Sequence, residues 1–261
     1  MSMNWILLQN ASIVVFIFMV AMFLIAQKIK DNSIVDIGWG IGFILIALSC
    51  FLQSEQTVVQ WIALSLITIW GLRLATYIYR RNIGNGEDYR YAQWREEWGK
   101  YVVVRAFFQV FMLQGAIMLI VASPLYVIFS VPLDLTWNVY LAVAVWLFGF
   151  YFEAMGDYQM AQFKKNPENK GKVMRQGVWK YTRHPNYFGD ATQWWAIFLL
   201  ALMSPYWYLA AIGPAVMHFF LVKVSGVAML ERKYKGNPKY ADYIKTTNAF
   251  IPWFPKKNAE A

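Results

Sequence analysis

The sequence is short of the residues that build metal centres, redox pairs and disulfide scaffolds. Its 261 residues include one cysteine and two histidines. The lone Cys50 cannot close a disulfide within the chain, so nothing calls for an oxidising compartment. In its apolar run it reads as a small buried hydrophobe. No His-x-x-x-His or Cys-x-x-Cys spacing occurs, so no bound metal is expected. There is also no Gly-x-Ser-x-Gly elbow, Walker loop, internal repeat or Gly/Ser linker. Charge is scarce, at 15% of residues against ~25% in soluble domains, while apolar residues reach 59% against ~45–50%. With a mean hydropathy of +0.36, that excess cannot be hidden in the core of one soluble domain, and it excludes disorder. The chain is expected to be an all-α integral membrane protein.

A spanning helix needs ~20 mainly apolar residues. Seven segments qualify or nearly so: Trp5–Ala26, Ile34–Leu52, Thr57–Tyr79, Ala106–Phe129, Trp137–Met155, Phe188–Met203 and Trp207–Val224. The sixth is short, and Ser204-Pro205 would let it turn tightly into the seventh. The basic residues occupy alternate connections: Lys28 and Lys30, then Arg80 to Arg105, Lys164 to Arg183, and Lys223 to Lys257. Of the 24 Lys and Arg residues, Arg73 alone lies deep inside a segment, Lys223 standing at the last turn of the seventh. The N-terminus and the connections 53–56, 130–136 and 204–206 carry none. The positive-inside rule then predicts about seven transmembrane helices, with the N-terminus outside and the C-terminus cytoplasmic. The first segment has no basic residue before it and no small-residue cleavage site after it, so it reads as a retained helix. The loops 80–105 and 156–187 and the tail 225–261 fall on the cytoplasmic side. The net charge of +9 lies in bands between apolar runs. Its expected partners are therefore anionic membrane lipids or an anionic nucleotide at the membrane surface, and not nucleic acid.

Ionisable groups at membrane depth are costly, so each marks a candidate site. Asp36 lies near the start of the second segment, Arg73 in the third, Glu153 and Asp157 at the end of the fifth, Asp190 at the start of the sixth and His218 in the seventh. All but His218 fall in the cytoplasmic half, which points to a polar cavity opening to the cytoplasm. His218 reads as a helix-packing residue. The Gly38-Trp39-Gly40-Ile41-Gly42 run lies in a span with no soluble βα unit, so close helix packing explains it better than dinucleotide binding.

The densest polar cluster runs from Gly177 to Asp190 and includes Arg183-His184-Pro185-Asn186-Tyr187. Pro185 stops any preceding helix, and the amides opening the next helix favour an anion. Arg183 and His184 can bind phosphate, Asn186 can bond an amide or ribose, and Tyr187 can stack or donate. This cluster resembles the Arg-His-Pro-x-Tyr signature of a superfamily of multi-span membrane enzymes. The superfamily holds steroid 5α-reductases, sterol reductases and isoprenylcysteine carboxyl methyltransferases. Glu231-Arg232-Lys233-Tyr234, Tyr240-Ala241-Asp242-Tyr243 and Ile251-Pro252 resemble its second shared block. Trp70-Gly71-Leu72-Arg73-Leu74, Gly86-Glu87-Asp88-Tyr89-Arg90-Tyr91 and Asn32-Ser33-Ile34-Val35-Asp36 are similar to the bacterial branch of the steroid 5α-reductase C-terminal family. The resemblance covers residues 30–255 and leaves the first helix, 1–30, outside it. A single transmembrane domain over 1–261 is expected, in a bacterial inner membrane.

The resemblance implies NADPH bound in a cytoplasm-facing cavity and reduction of an activated carbon–carbon double bond in a lipid-like substrate. It puts Arg73, Asp157, Asn186, Asp190 and Tyr234 at the cofactor; Asp88, Arg90 and Tyr91 of the Gly86–Tyr91 block and His184 and Tyr187 of the polar cluster are further candidates to bind it. The phosphates need cations, which Arg73, Arg90, Lys164, Arg175 and Arg183 could supply. The Gln-Glu pair by which the animal enzymes hold a steroid ketone has no counterpart here, so a steroid substrate is not implied. Enone reduction needs hydride at the β-carbon and a proton donor for the enolate. A carboxyl group in an apolar span can stay protonated and donate, which suits Asp36, with Tyr77 and Tyr187 as partners. The competing role for Asp36 is a structural pair with Arg73. A methyltransferase using S-adenosylmethionine would share the Arg-His-Pro-x-Tyr and C-terminal blocks but has no evident use for Arg73 or the Glu87-Asp88 segment. A transporter or lipid-binding scaffold fits less well, since no paired broken helices mark a midplane site.

Overall fold

The structure is a computed structural model that describes residues 3–234 and 236–256. Lys235 and Lys257 of the basic tail, and the ends of the expected 1–261 domain, lie outside the described residues. Among the described residues every regular element is helical. In chain order these are α1 (Trp5–Ile29), α2 (Ile34–Phe51), α3 (Val58–Asn82), α4 (Tyr89–Trp98), α5 (Val102–Arg105), α6 (Leu113–Val121) and α7 (Ser123–Ser130). Then follow α8 (Trp137–Lys165), α9 (Pro185–Leu200), α10 (Trp207–Ala210), α11 (Ile212–Phe219), α12 (Val227–Lys233) and α13 (Pro238–Thr246). Wider π-helical turns at Ala106–Met112 and Phe220–Val224 join α5 to α6 and follow α11.

Six helical stretches among the described residues are long and apolar enough to cross a membrane: Trp5–Ile29, Ile34–Phe51, Val58–Asn82, Tyr89–Val121, Trp137–Lys165 and Trp207–Arg232. The sixth predicted segment corresponds to α9, whose 16 residues give a rise of ~24 Å. A bilayer core is ~30 Å thick, so α9 falls short. The stretch 80–105, expected as a loop, is largely helix. Two causes act there: α3 runs on to Asn82, and Asp88 caps α4 by accepting the Arg90 N–H at 3.1 Å. The chain divides into two compact units, residues 1–139 with 200–213 and residues 140–199 with 214–261.

In the first unit the glycine run of α2 presents a different neighbour at each step. A Cβ on Gly40 would strike the Gly71 carbonyl oxygen of α3; one on Gly38 would meet Met22 of α1 at 3.0 Å, and one on Gly42 the Met118 sulfur of α6 at 2.7 Å. Only glycine permits all three approaches, which is the helix-packing role expected of the run. Buried Gln60 donates to the Ile128 and Val131 carbonyls at 3.0 and 3.3 Å, satisfying the end of α7. Glu87 clamps the turn between α1 and α2 to α4. Its Oε1 accepts the Asn32 N–H at 2.7 Å, and its two oxygens take the Arg95 guanidinium as a fork at 2.8 Å each.

In the second unit α8 and α9 approach backbone to backbone, because a Cβ on Gly189 would strike Gly149 O and Glu153 N. The segment before α9 packs Met174, Val178 and Trp179 against Phe152, Met155, Met160 and Phe163 of α8. The Trp179 indole donates to Gly156 O at 3.0 Å.

The clamp on the α1–α2 turn carries a testable consequence. Removing Glu87 strands a backbone N–H and a guanidinium, and an unsatisfied buried group costs about 1–3 kcal/mol. Glu87→Ala should lower the melting temperature of the detergent-purified protein clearly. Glu87→Gln, which keeps an acceptor for Asn32, should lower it less. Superimposable melting curves for wild type and Glu87→Ala would refute the clamp.

Candidate functional site

In the first unit the sequence-predicted residues converge on the first turn of α2. Asp36 accepts a hydrogen bond from the Tyr91 hydroxyl at 2.6 Å and from Arg90 Nη2 at 2.8 Å. Arg90 also donates to Asp88 at 2.9 Å, and Gln114 donates to the Tyr91 oxygen at 3.4 Å. The Asp36 side chain is 18% exposed. Arg90 supplies the cation at Asp36, where the sequence suggested Arg73. The two are 54 positions apart, and no local pattern marks the pairing. Burial pushes the Asp88 carboxyl up, but the Arg90 side chain and N–H outweigh it and hold the group below its ordinary range. Arg73 and Tyr77 lie one turn apart on α3, both half-buried, and the Arg81 guanidinium sits 5.8 Å above the Tyr77 ring.

The second unit holds the remaining candidates. Asp157, buried on α8, accepts from the Asn186 amide in the first turn of α9 at 3.1 Å. Asp190 is buried one turn further along α9, and Glu153 of α8 accepts from Gln193 at 2.6 Å. The facing strips of α8 and α9 therefore carry a buried polar seam. Glu153 and Gln193 were not among the assigned site residues. The i, i+4 spacing of Glu153 and Asp157 is the signal that could have found them.

Arg183 is tied to groups of the chain itself. Its Nε and Nη2 donate to Glu231 Oε1 at 2.8 and 2.5 Å, and its Nη1 to the Thr247 carbonyl oxygen. His184 Nε2 lies 3.4 Å from the same Glu231 oxygen, and its buried Nδ1 has no hydrogen-bond partner among the described residues. Tyr187 stacks on His184 at 5.8 Å between centroids. Arg175 pairs with Asp242 at 2.6 Å and donates to Lys239 O at 2.5 Å. Tyr234 stacks on Tyr240 at 4.9 Å. Burial and the Glu231 carboxylate push the Tyr240 hydroxyl up to about 12. Burial likewise raises Tyr243, whose hydroxyl donates to the Trp179 carbonyl oxygen. Lys164 is exposed at the end of α8.

Of the five cations expected for phosphates, Arg90, Arg175 and Arg183 each face a carboxylate of this chain within 2.8 Å. Arg73 belongs to the first unit and Lys164 to the second. The groups suited to a nucleotide's neutral parts are Asn186, Asp157 and the His184 Nδ1. They offer an amide, a carboxylate and a ring nitrogen to ribose hydroxyls or a carboxamide.

Comparison with known proteins gives this geometry a context. A 124-residue stretch, 45% of this chain, is 30% identical to Steroid 5-alpha-reductase DET2 of Arabidopsis thaliana and spans 42% of that relative's length. No solved structure matches the chain. Residues 22–247 match the family described as Protein of unknown function (DUF1295), a match that takes in the Asp36–Tyr91 and Asp157–Asn186 groups and the Arg183–Glu231 pair. The chain belongs to the DUF1295 family and is distantly similar to a plant steroid 5-alpha-reductase.

Proposed function

We propose that the protein is a membrane reductase that uses NADPH to saturate an activated carbon–carbon double bond of a lipid-like or steroid-like enone. Within the steroid 5α-reductase relationship, its Trp70–Leu74 and Gly86–Tyr91 segments favour the bacterial branch. The observation that carries the reading is the Asp157–Asn186 pair, drawn from two helices and two separate blocks of the chain at positions expected to touch the cofactor. The residues present fit the ribose and carboxamide of such a cofactor better than its phosphates. NADPH, when bound, would supply the hydride.

The residues of this chain have definable tasks in that reaction. Asp157 and Asn186 would orient the cofactor's polar rim. In such a reduction the charge developing on the substrate carbonyl oxygen would need a donor. Asp36 is an acceptor twice over, so the proton-bearing group of the pair is the Tyr91 hydroxyl. In this reading Tyr91 would give its proton to the enolate oxygen, Asp36 would hold Tyr91 in place and Arg90 would balance the charge left behind. The enol then becomes the saturated ketone as its α-carbon takes a proton from water and its oxygen returns one to Tyr91. The donor role expected of Asp36 thus passes to its neighbour.

One observation keeps a second reading open. With three of five expected phosphate cations committed to carboxylates, a cofactor without phosphates, such as S-adenosylmethionine, would meet fewer unmet needs. A methyltransferase is then the alternative, and ligand binding separates the two.

Single-turnover oxidation of NADPH with an enone lipid tests the assignment. Tyr91→Phe should slow the turnover at least tenfold while keeping NADPH affinity, and Asn186→Ala should weaken NADPH binding on the order of tenfold, about 1.4 kcal/mol. Full activity in a folded Tyr91→Phe protein would reject Tyr91 as the donor. A cofactor side at the cytoplasm is supported by the gathering of basic residues on alternate connections. Cysteines replacing Ser54 and Asp134 in a Cys50→Ala background should react with an impermeant reagent on intact cells, and cysteines replacing Asn85 and Lys170 should not. Labelling at 85 would reverse the orientation.

A further inference from the structure

The end of the described chain is neither helix nor free strand. Residues 248–256 run back along the segment before α9 and are pinned to it by backbone. The Arg183 N–H donates to Asn248 O and the Trp253 N–H to Tyr181 O, each at 2.9 Å, while the Lys256 N–H ties the tail to the end of α13 at Thr246 O, 2.9 Å. The Thr182 hydroxyl lies within reach of the Ala249 and Phe250 carbonyls at 3.1 and 2.8 Å. Phe250 turns inward against Phe188 and His218, at 5.8 and 5.0 Å. Its neighbours do the opposite.

Ile251, Trp253 and Phe254 are exposed by 66%, 66% and 74%. Side chains bared to that degree elsewhere, such as Ile17 at 63% and Phe108 at 61%, lie in candidate membrane spans, where lipid would cover them, or, like Leu52 at 65%, directly at the end of one. The 251–254 segment lies in none. Three large apolar groups held outward on a rigid frame need a covering, since exposed apolar clusters of this kind mark interaction sites. Their surroundings select it. Lys180, Lys245 and Lys256 flank the segment and are all exposed. Tyr181, half turned to solvent, meets the Phe254 ring edge-on at 6.1 Å. Trp and Phe with lysines is the composition that sits at a bilayer interface, the rings at headgroup depth and the ammonium groups on anionic lipid.

We infer that Ile251, Trp253 and Phe254, with Lys180, Lys245 and Lys256, form a docking surface for an anionic bilayer interface. Through the bonds to Tyr181, Thr182 and Arg183, that engagement steadies the turn leading into His184, Pro185 and α9. The lipid headgroup then bears on the polar seam from outside it. This inference is independent of the reaction proposed above.

The test uses the full chain with Cys50→Ala and Pro255→Cys, labelled with an environment-sensitive fluorophore and placed in nanodiscs of phosphatidylcholine alone or with phosphatidylglycerol. A shallow spin-labelled lipid should quench the label strongly, and several-fold better with phosphatidylglycerol than without. Adding Lys180→Glu, Lys245→Glu and Lys256→Glu should remove the phosphatidylglycerol effect while the melting curve is kept. Quenching by aqueous iodide to the level of the free dye in both discs would overturn the inference. So would protection that persists in detergent alongside a dimeric mass, which would assign the surface to a second copy. Protection that appears only on adding soluble extract would assign it to a protein partner and overturn it equally.

Discussion

One buried guanidinium organises the second unit. Arg183 is almost fully enclosed, and an ion in that position without a partner is destabilising by several kcal/mol. The structure answers with Glu231 from α12, 48 positions away, and with carbonyl oxygens at Ile244 and Thr247 near the end of α13. One side chain thereby draws three elements together: the turn before α9, α12 and α13. His184 then lies beside the pair, Asn186 opens α9 against Asp157, and the tail is laid along residues 181–183.

That frame alters how the basic residues are understood. Arginines near a proposed nucleotide site invite assignment to phosphates, yet Arg90, Arg175 and Arg183 each meet a carboxylate of the chain itself. Arg90 serves Asp36 and Asp88 in the first unit, and Arg175 serves Asp242 in the second. Their work is to hold functional groups in position. In the proposed reading, recognition of a cofactor falls more heavily on the neutral and acidic groups of the α8–α9 seam.

Much of this was legible in the chain. The apolar runs located the long helices, and the Gly38–Gly42 spacing announced close packing, because both signals are local and repeat with the helix. Arg183-His184-Pro185 marked the start of α9, since proline at a first helical position is a local constraint. Other features were hidden for physical reasons. The helix α4 carries Arg90, Arg95, Glu96 and Glu97 and lacks an apolar run, so it read as loop; its cap at Asp88 and its clamp at Glu87 make it a helix. The destinations of Arg90, Arg175 and Arg183 depend on partners 48 to 67 positions distant, and only the fold decides those. The polar pair Glu153–Gln193 was obscured in the same way.

The central claim is that the seam around Asp157 and Asn186 receives a reduced nicotinamide nucleotide. The most direct measurement is the emission of NADPH titrated into the purified protein in nanodiscs. The account predicts a saturable enhancement that NADP+ competes away and that S-adenosylmethionine leaves untouched. No saturable change with NADPH, together with saturable binding of S-adenosylmethionine, would contradict it and establish the methyltransferase reading in its place.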